Sequence, residues 1–539
     1  MHESGAPGLV SRTSARATCL IGFAFGVAAM TIVQSGSIWF AGNDSYYHLR
    51  MARMLPSVGF LQSFPWLHWT IFRDHFVSHH YGFHVMLAPF AWLSEKCSGE
   101  LFLGGKVFTV LAMGATTALI ATLLRILGVR QRAWWLLLVC CLPWHFWLRL
   151  SYVRAPVVGL PLLLLAVVLI LRDRRILLGL LAFVFTHVYG GVVLFPLIPL
   201  AFFLGHVLAG TCSRAQWWHL AATLAGIVAG LVLSPYFPDN LAFLRTQVFE
   251  TGLGAPGNVG REWQPLNGWF LLRMSGVLAV VWFACLVTRL RRAETIDGRS
   301  LGLLLLNVGF LILTIKSRRF VEYWPVFALL NAADFGRGGL GLDFRPGRSL
   351  SDWRRRLRSI WAWASTGALL LAALVTLLVT RGHVRPKADW AALGSAMRHL
   401  AEASPRRSLV LTDDWDIFPV AFYYDTHNTY AVGLDPVFTQ RKYPVLWERY
   451  RLITRGETPC FLDDDSLGDD DDRRVTLGDI SRRFGAEYVL IEADHPRLYG
   501  QLQYHDDQFE MVFPPTESKT SDVQPAFSIF RVLSPQATP

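Results

Sequence analysis

Ionisable side chains are nearly missing from the long apolar stretches of this sequence; His187 is the main exception. A transporter built around a mid-span pathway normally carries such groups there, so the scarcity speaks against one. Cysteine is also scarce, with seven in 539 residues and no CxxC spacing. Cys140-Cys141 lies inside an apolar run and Cys460 stands alone near the C-terminal end, which excludes a disulfide framework. No cleavable leader is evident: the first apolar stretch reaches about 20 residues, long enough to span, and reads as an anchor. No internal repeat is found. A continuous basic face is missing too. The net charge is +11, but the arginines fall between apolar runs, which excludes a nucleic-acid partner.

What is present sets the class. The sequence is 53% hydrophobic with a positive mean hydropathy, and it carries 20 Trp and 36 Phe. That is the composition of a membrane protein with aromatic interfaces. Apolar segments fall at 19–40, 101–124, 133–149, 155–171, 176–189, 191–209, 217–235, 269–288, 300–315, 321–335 and 359–380. Basic clusters sit between them: Arg12 and Arg16; Arg125, Arg130 and Arg132; Arg172, Arg174 and Arg175; Arg214; Arg289, Arg291, Arg292 and Arg299; and the run Arg337–Arg358. With 11 spans every cluster lands on one face, which the positive-inside rule makes cytoplasmic. The run Tyr81–Ser94, with His84 and Pro89, then lies in the outer interface and does not cross.

From about Val384 the pattern changes. Helical periodicity over Lys387–Ala403, Arg441–Thr454 and Thr476–Phe484 alternates with strand-like runs at Ser408–Thr412, Ala486–Glu492 and Phe527–Leu533. This predicts a small α/β domain. The expected fold is a polytopic α-helical membrane protein of about 11 transmembrane helices, residues 1–383, with a C-terminal extracytoplasmic α/β domain, residues 384–539. The expected location is the cell (inner) membrane, multi-pass.

Four groups of polar residues fall on the outer face. The first is Asp44, in Gly42-Asn43-Asp44-Ser45-Tyr46-Tyr47-His48-Leu49-Arg50, where the chain leaves the first span. The second is Arg149-Leu150-Ser151-Tyr152-Val153-Arg154. The third is Asn258-Val259-Gly260-Arg261-Glu262-Trp263-Gln264-Pro265, in a long outer loop. The fourth, Lys316-Ser317-Arg318-Arg319-Phe320-Val321-Glu322-Tyr323, breaks the positive-inside rule. Cations at an outer boundary need an anionic ligand, and guanidinium groups bind phosphate oxygens bidentately. In the tail, Thr412-Asp413-Asp414-Trp415-Asp416 follows a strand, a place where α/β domains bind ligands.

Asp44 to Arg50 resembles the first acidic motif of the catalytic subunit of oligosaccharyltransferase, a member of the GT-C superfamily of membrane glycosyltransferases. The resemblance runs through the whole chain in order and implies a lipid-linked sugar donor. It gives Asp44 and Glu262 catalytic roles, and it gives Arg318 and Arg319, with Arg149 and Arg154, the lipid phosphate. Trp415 and Asp416 correspond to the tryptophan–aspartate motif that reads the acceptor. The sequence departs from the family in two places. Arg154 and Ala155 stand where a pair of acids is expected, so Asp44 has too few hard oxygen partners for a family-type Mg²⁺ or Mn²⁺ site. Asp414 replaces one tryptophan, and Ile417-Phe418 replaces the aromatic-glycine pair.

The expectation is a glycosyltransferase that moves a sugar or oligosaccharide from a polyprenyl-phosphate-type lipid to an acceptor protein or glycan on the outer face. Its cofactor is none or a divalent cation, and its surroundings are membrane lipids. The competing class is a non-catalytic flippase or transport subunit for lipid-linked sugars. A metal group at His79-His80 with His84 and Asp74 is a further reading, since His80 and His84 are four apart on a helix. Three signals are set aside. Gly336–Gly341 matches GxGxxG but follows no strand. Asp463–Asp472, with seven aspartates, matches no EF-hand and reads as a solvated loop. Asn43-Asp44-Ser45 is an incidental glycosylation sequon.

Overall fold

In a computed structural model of the chain, residues 14–252, 261–339, 353–386, 388–462, 470–515 and 524–533 are described. Arg12, Asn258–Gly260, much of the basic run after Arg337, the end of the glycine-rich string and Asp463–Asp469 lie outside them. The chain divides into two units. The first comprises residues 1–38, 79–234 and 264–385, and the second residues 39–78, 235–263 and 386–539.

The first unit is helical. Each of the 11 apolar segments corresponds to helix, but the helices differ in length. Among the described residues five are long and apolar enough to cross a membrane: Ala15–Gln34, Phe102–Ile126, Arg214–Val232, Gly298–Lys316 and Arg356–His383. Two more spans arise if each bent pair counts as one. Arg132–Cys140 and Trp144–Leu150 meet at 78°, and Gly268–Met274 and Gly276–Arg291 meet at 80°. The first bend has a local cause, because Pro143 cannot continue the preceding helix and starts the next. Pro156–Leu171, Arg175–Val188 and Leu197–Leu208 are shorter apolar helices, and Trp324–Phe335 is buried at every position. Tyr81–Ser98 is a helix outside the set apolar enough to cross.

The first helix packs tightly on Phe102–Ile126 because Gly22 and Gly26 present no side chain. A Cβ at Gly26 would lie 2.0 Å from Thr117 Oγ1 and 2.6 Å from the Met113 carbonyl oxygen. Thr117 Oγ1 instead donates to the Gly22 carbonyl at 2.7 Å. Small residues four apart allow this backbone approach where lipid supplies no hydrophobic drive.

The second unit is built on a five-stranded sheet. Its strands are β1 (Leu409–Thr412), β2 (Thr429–Tyr430), β5 (Tyr488–Glu492), β6 (Phe509–Phe513) and β7 (Phe527–Val532), in the order β2-β1-β5-β7-β6. The strands β3 (Cys460–Phe461) and β4 (Arg474–Val475) form a separate antiparallel pair. β1 runs parallel to both neighbours, with Leu411 opposite Val489, whereas β7 is antiparallel to β5 and β6. The expected strands at 408–412, 486–492 and 527–533 fall on β1, β5 and β7 within two residues. The helix expected over 476–484 shrinks to Asp479–Arg482.

Residues 39–78 belong here because they extend the sheet. His68 N–H donates to the Tyr430 carbonyl at 2.8 Å, Trp69 N–H to Ala431 at 2.9 Å, and Tyr430 N–H to Trp66 at 2.8 Å. This covers the edge that the two-residue β2 would leave open. Aromatic packing completes the join: the Phe72 ring lies 4.4 Å from Phe438 and 5.9 Å from Phe243, and Phe243 brings in 235–263.

Candidate active site

In the second unit the acids converge. The helix Asp44–Val58 starts directly after Asn43, so Asp44 lies in its first turn, where the helix dipole favours a carboxylate. The helix is locked to Phe418–Tyr424: Arg50 Nε donates to the Tyr423 carbonyl at 2.7 Å, and its guanidinium stacks 5.2 Å from the Tyr423 ring. Asn43 Nδ2 donates to the Asp416 carbonyl at 3.0 Å, joining the first acidic motif to the tail motif. Asp414 caps the short turn Trp415–Ile417 by accepting from Asp416 N–H at 3.1 Å. Trp415 is half-buried against the core beneath the sheet. Glu262 lies in the turn Arg261–Trp263 and is half-buried.

Asp416 shows how close these groups are. Its side chain keeps a solvent-accessible edge, yet surrounding protein removes enough water to push its pKa up to about 7. The negative charges of Asp44, Asp414, Glu262 and Glu492 add to that rise. The expected residues Asp44 and Glu262 thus both lie within electrostatic reach of Asp416.

The first unit holds the cations. The short helix Trp144–Leu150 carries Arg149, whose Nε donates to Glu322 Oε1 at 2.5 Å. Arg154 Nη2 donates to the same oxygen at 2.8 Å. Glu322 closes the turn Arg318–Glu322 and its side chain is wholly buried, as Arg154 nearly is. Arg318 is exposed and Arg319 half-buried on the same turn. The turn is fixed by Arg318 N–H donating to the Gln264 carbonyl at 3.1 Å. His145 lies within electrostatic reach of both Arg149 and Arg318, so the two arginine motifs form one neighbourhood. Beside it the Tyr323 hydroxyl donates to that of Tyr189 at 2.9 Å, and His80 stacks on Tyr189 at 5.7 Å.

Glu322 is the residue that sequence reasoning missed. It stood inside a quoted motif without a role and inside a segment counted as a span free of charge. Asp334, at the other end of that segment, is also wholly buried; it accepts from Ser300 Oγ at 2.5 Å, with Arg299 at 3.6 Å. A carboxylate within an apolar span is itself the signal that could have found both.

Among the described residues, no group of three or more ligand side chains includes Asp44. His80 is not in such a group either: its Nδ1 accepts from Gly190 N–H at 3.1 Å, and Asp74 pairs with Lys442 at 2.6 Å.

No family model matches the sequence, and no curated protein matches it. Solved structures do match. The oligosaccharyltransferase of Archaeoglobus fulgidus in the apo form is 11% identical with a TM-score of 0.63, over 92% of this chain and 72% of that one. AglB from the same organism, in complex with an inhibitory peptide and a dolichol-phosphate, is 12% identical with a TM-score of 0.62, over 97% and 75%. ArnT from Cupriavidus metallidurans bound to undecaprenyl phosphate is 11% identical with a TM-score of 0.54, over 97% and 98%. Low identity across nearly the whole chain establishes architecture and nothing finer. The chain has the fold of the GT-C membrane glycosyltransferases.

Proposed function

We propose that this chain is a lipid-linked-sugar-dependent glycosyltransferase, which moves a sugar or oligosaccharide from a polyprenyl phosphate or diphosphate to an acceptor protein or glycan on the outer face of the cell membrane. The observation that carries this reading is the cationic neighbourhood of the first unit, where Arg149 and Arg154 both donate to Glu322, the last residue of the turn that carries Arg318 and Arg319. Guanidinium groups held in place in this way suit the oxygens of a phosphate. The solved structures of the same fold that hold dolichol-phosphate and undecaprenyl phosphate support this ligand class.

The chemistry divides by unit. Transfer forms a bond from an acceptor nitrogen or oxygen to the anomeric carbon and breaks the bond from that carbon to the phosphate oxygen. Oxocarbenium character develops on the sugar, and the negative charge leaves with the lipid phosphate. Arg318 and Arg319, supported by Arg149 and Arg154, stabilise that departing charge. In the second unit Asp44 orients the acceptor and takes its proton, Glu262 assists, and Trp415 and Asp416 hold the acceptor. No step passes through a metal at Asp44; arginine supplies the positive charge. The membrane arrangement that suits this reading has 11 spans and residues 384–539 outside.

Arg319→Ala weakens binding of a polyprenyl phosphate by one charge-assisted contact, about 1.5–3 kcal/mol. Arg319→Lys recovers only part, because lysine lacks the planar fork. Full recovery by lysine in a detergent-phase binding assay means a general cationic patch and refutes the phosphate site. Normal lipid binding with no transfer to any acceptor would favour the flippase class.

A further inference from the structure

The sheet of the second unit has a switch point between β1 and β5, and three of the residues there have no part in the proposed transfer. The chain leaves β1 towards β2 on one side and later enters β5 on the other. Open sheets place ligands beyond the C-terminal ends of two such parallel neighbours. Asp413 directly follows β1. Asp494 and His495 follow β5 and lead into the helix Pro496–Tyr504. His495 Nδ1 lies 3.0 Å from Asp413 Oδ2 and 2.8 Å from Asp494 Oδ1. One donor atom from each residue lies within 4.8 Å of the others, and among the described residues no other three His, Cys, Asp or Glu side chains gather so closely.

A second observation points to a ligand. The Asp413 side chain is wholly buried. Its Oδ2 accepts from Glu492 N–H at 2.5 Å, but its Oδ1 is buried with no hydrogen-bond partner among the described residues. Buried carboxylate oxygens are normally satisfied, so one without a donor marks a place for a cation or water. A ring nitrogen gives one proton to one acceptor, yet here two carboxylates approach the same nitrogen.

We propose that Asp413, Asp494 and His495 form a divalent metal site of the Zn²⁺ or Mn²⁺ class. Two carboxylate oxygens and one imidazole nitrogen suit those ions better than Ca²⁺ or Mg²⁺, which favour all-oxygen shells. Asp494 is largely exposed, so water completes the coordination from the solvent side. The metal staples the segments leaving β1 and β5, and the first of these carries Trp415 and Asp416. Asp413, Asp494 and His495 have no role in the proposed transfer reaction, and Asp44 is not among the grouped ligands.

The test uses the full chain in detergent, purified without a histidine tag and stripped with chelator. Zn²⁺ and Mn²⁺ are then titrated by calorimetry and by thermal unfolding. One equivalent of Zn²⁺ or Mn²⁺ binds the wild type and raises its unfolding midpoint, because the ion binds the folded state. His495→Gln and Asp494→Asn each lose at least about tenfold in affinity. Because Asp494 is exposed, its variant keeps the metal-free midpoint of the wild type. Failure of the stripped wild type to take up stoichiometric metal overturns the proposal. So does wild-type affinity in both variants.

Discussion

Glu322→Gln tests whether one buried carboxylate organises the arginines of the first unit. Glu322 has no exposed side-chain surface, and Arg149 and Arg154 are 12% and 7% exposed. At 2.5 and 2.8 Å, with an effective dielectric constant near 20, each pair attracts by about 6 kcal/mol. Desolvation of three ions offsets most of that gain, so the intact group contributes little net stability. Removing one partner is a different matter, since two guanidiniums then remain buried without their counter-charge, at a cost of about 3–5 kcal/mol. Glutamine keeps the shape and an acceptor oxygen, which puts the loss at the lower end, about 3 kcal/mol. Unfolding of a helical membrane unit in detergent is rarely reversible, so the assay is the rate of thermal inactivation at fixed temperature. If the pairs are broken in the transition state for unfolding, the rate rises by roughly 100-fold. Adding Arg154→Met to Glu322→Gln removes one stranded cation and restores part of the loss, a coupling of about 0.5–3 kcal/mol. Transfer by Glu322→Gln, measured at matched folded protein, falls at least about tenfold because the arginines lose their fixed orientation. A variant as long-lived and as active as the wild type would refute the reasoning.

Three other outcomes are expected. Asp416 has a raised pKa of about 7, so the folded chain holds its proton after the unfolded chain has lost it; this group therefore lowers stability as pH rises from about 4 to 7. If ionised Asp416 holds the acceptor, kcat/KM rises with pH through about 7, and Asp416→Asn abolishes that limb. Cys97 and Cys212 are both exposed and free, and 11 spans put them on opposite faces. In single-cysteine variants of intact cells, an impermeant maleimide labels Cys97 and spares Cys212; the reverse, or labelling of both, rejects that span count. Gly26→Leu drives a side chain into Thr117 and the Met113 carbonyl and costs at least about 1–3 kcal/mol of detergent stability, whereas a neutral result means that the two helices are less tightly apposed.

The helices were legible because apolar runs of spanning length have few alternatives. The strands β1, β5 and β7 were legible because each is a β-branched or aromatic run. The edge strands and the partition of the chain were not. β2 is two residues long, and it is held by backbone bonds to Trp66, His68 and Trp69, far away in sequence. No local pattern announces such a pairing, so 39–78 and 235–263 read as loops of the membrane region. At the site, the break in the positive-inside rule drew attention to Arg318 and Arg319, while Asp44, Glu262 and Asp416 were named through the resemblance to oligosaccharyltransferase. Sequence could not say that Arg149 and Arg154 share one oxygen of Glu322, because that depends on a turn of the chain more than 160 residues away.

Both units pair their buried charges, but the second also gathers carboxylates that are not paired in this way. In the first unit the buried carboxylates Glu322 and Asp334 lie against arginines, and the buried Arg289 lies 3.4 Å from Glu294. Opposite charges brought together in this way are what a helical bundle needs in order to tolerate ions at all. In the second unit Arg449 and Asp479 follow the same rule at 2.8 Å. Asp416 and Glu492 do not: the nearby charges that raise their pKa values are chiefly other carboxylates. Like charges held close cost stability, and folding alone supplies no reason to keep them. A fold that retains such a cluster at the ends of its central strands, beside the capped turn carrying Trp415, keeps it for what the cluster binds or deprotonates. On the proposed reading, the arginines bound to Glu322 serve the donor phosphate and the acids around Asp416 serve the acceptor.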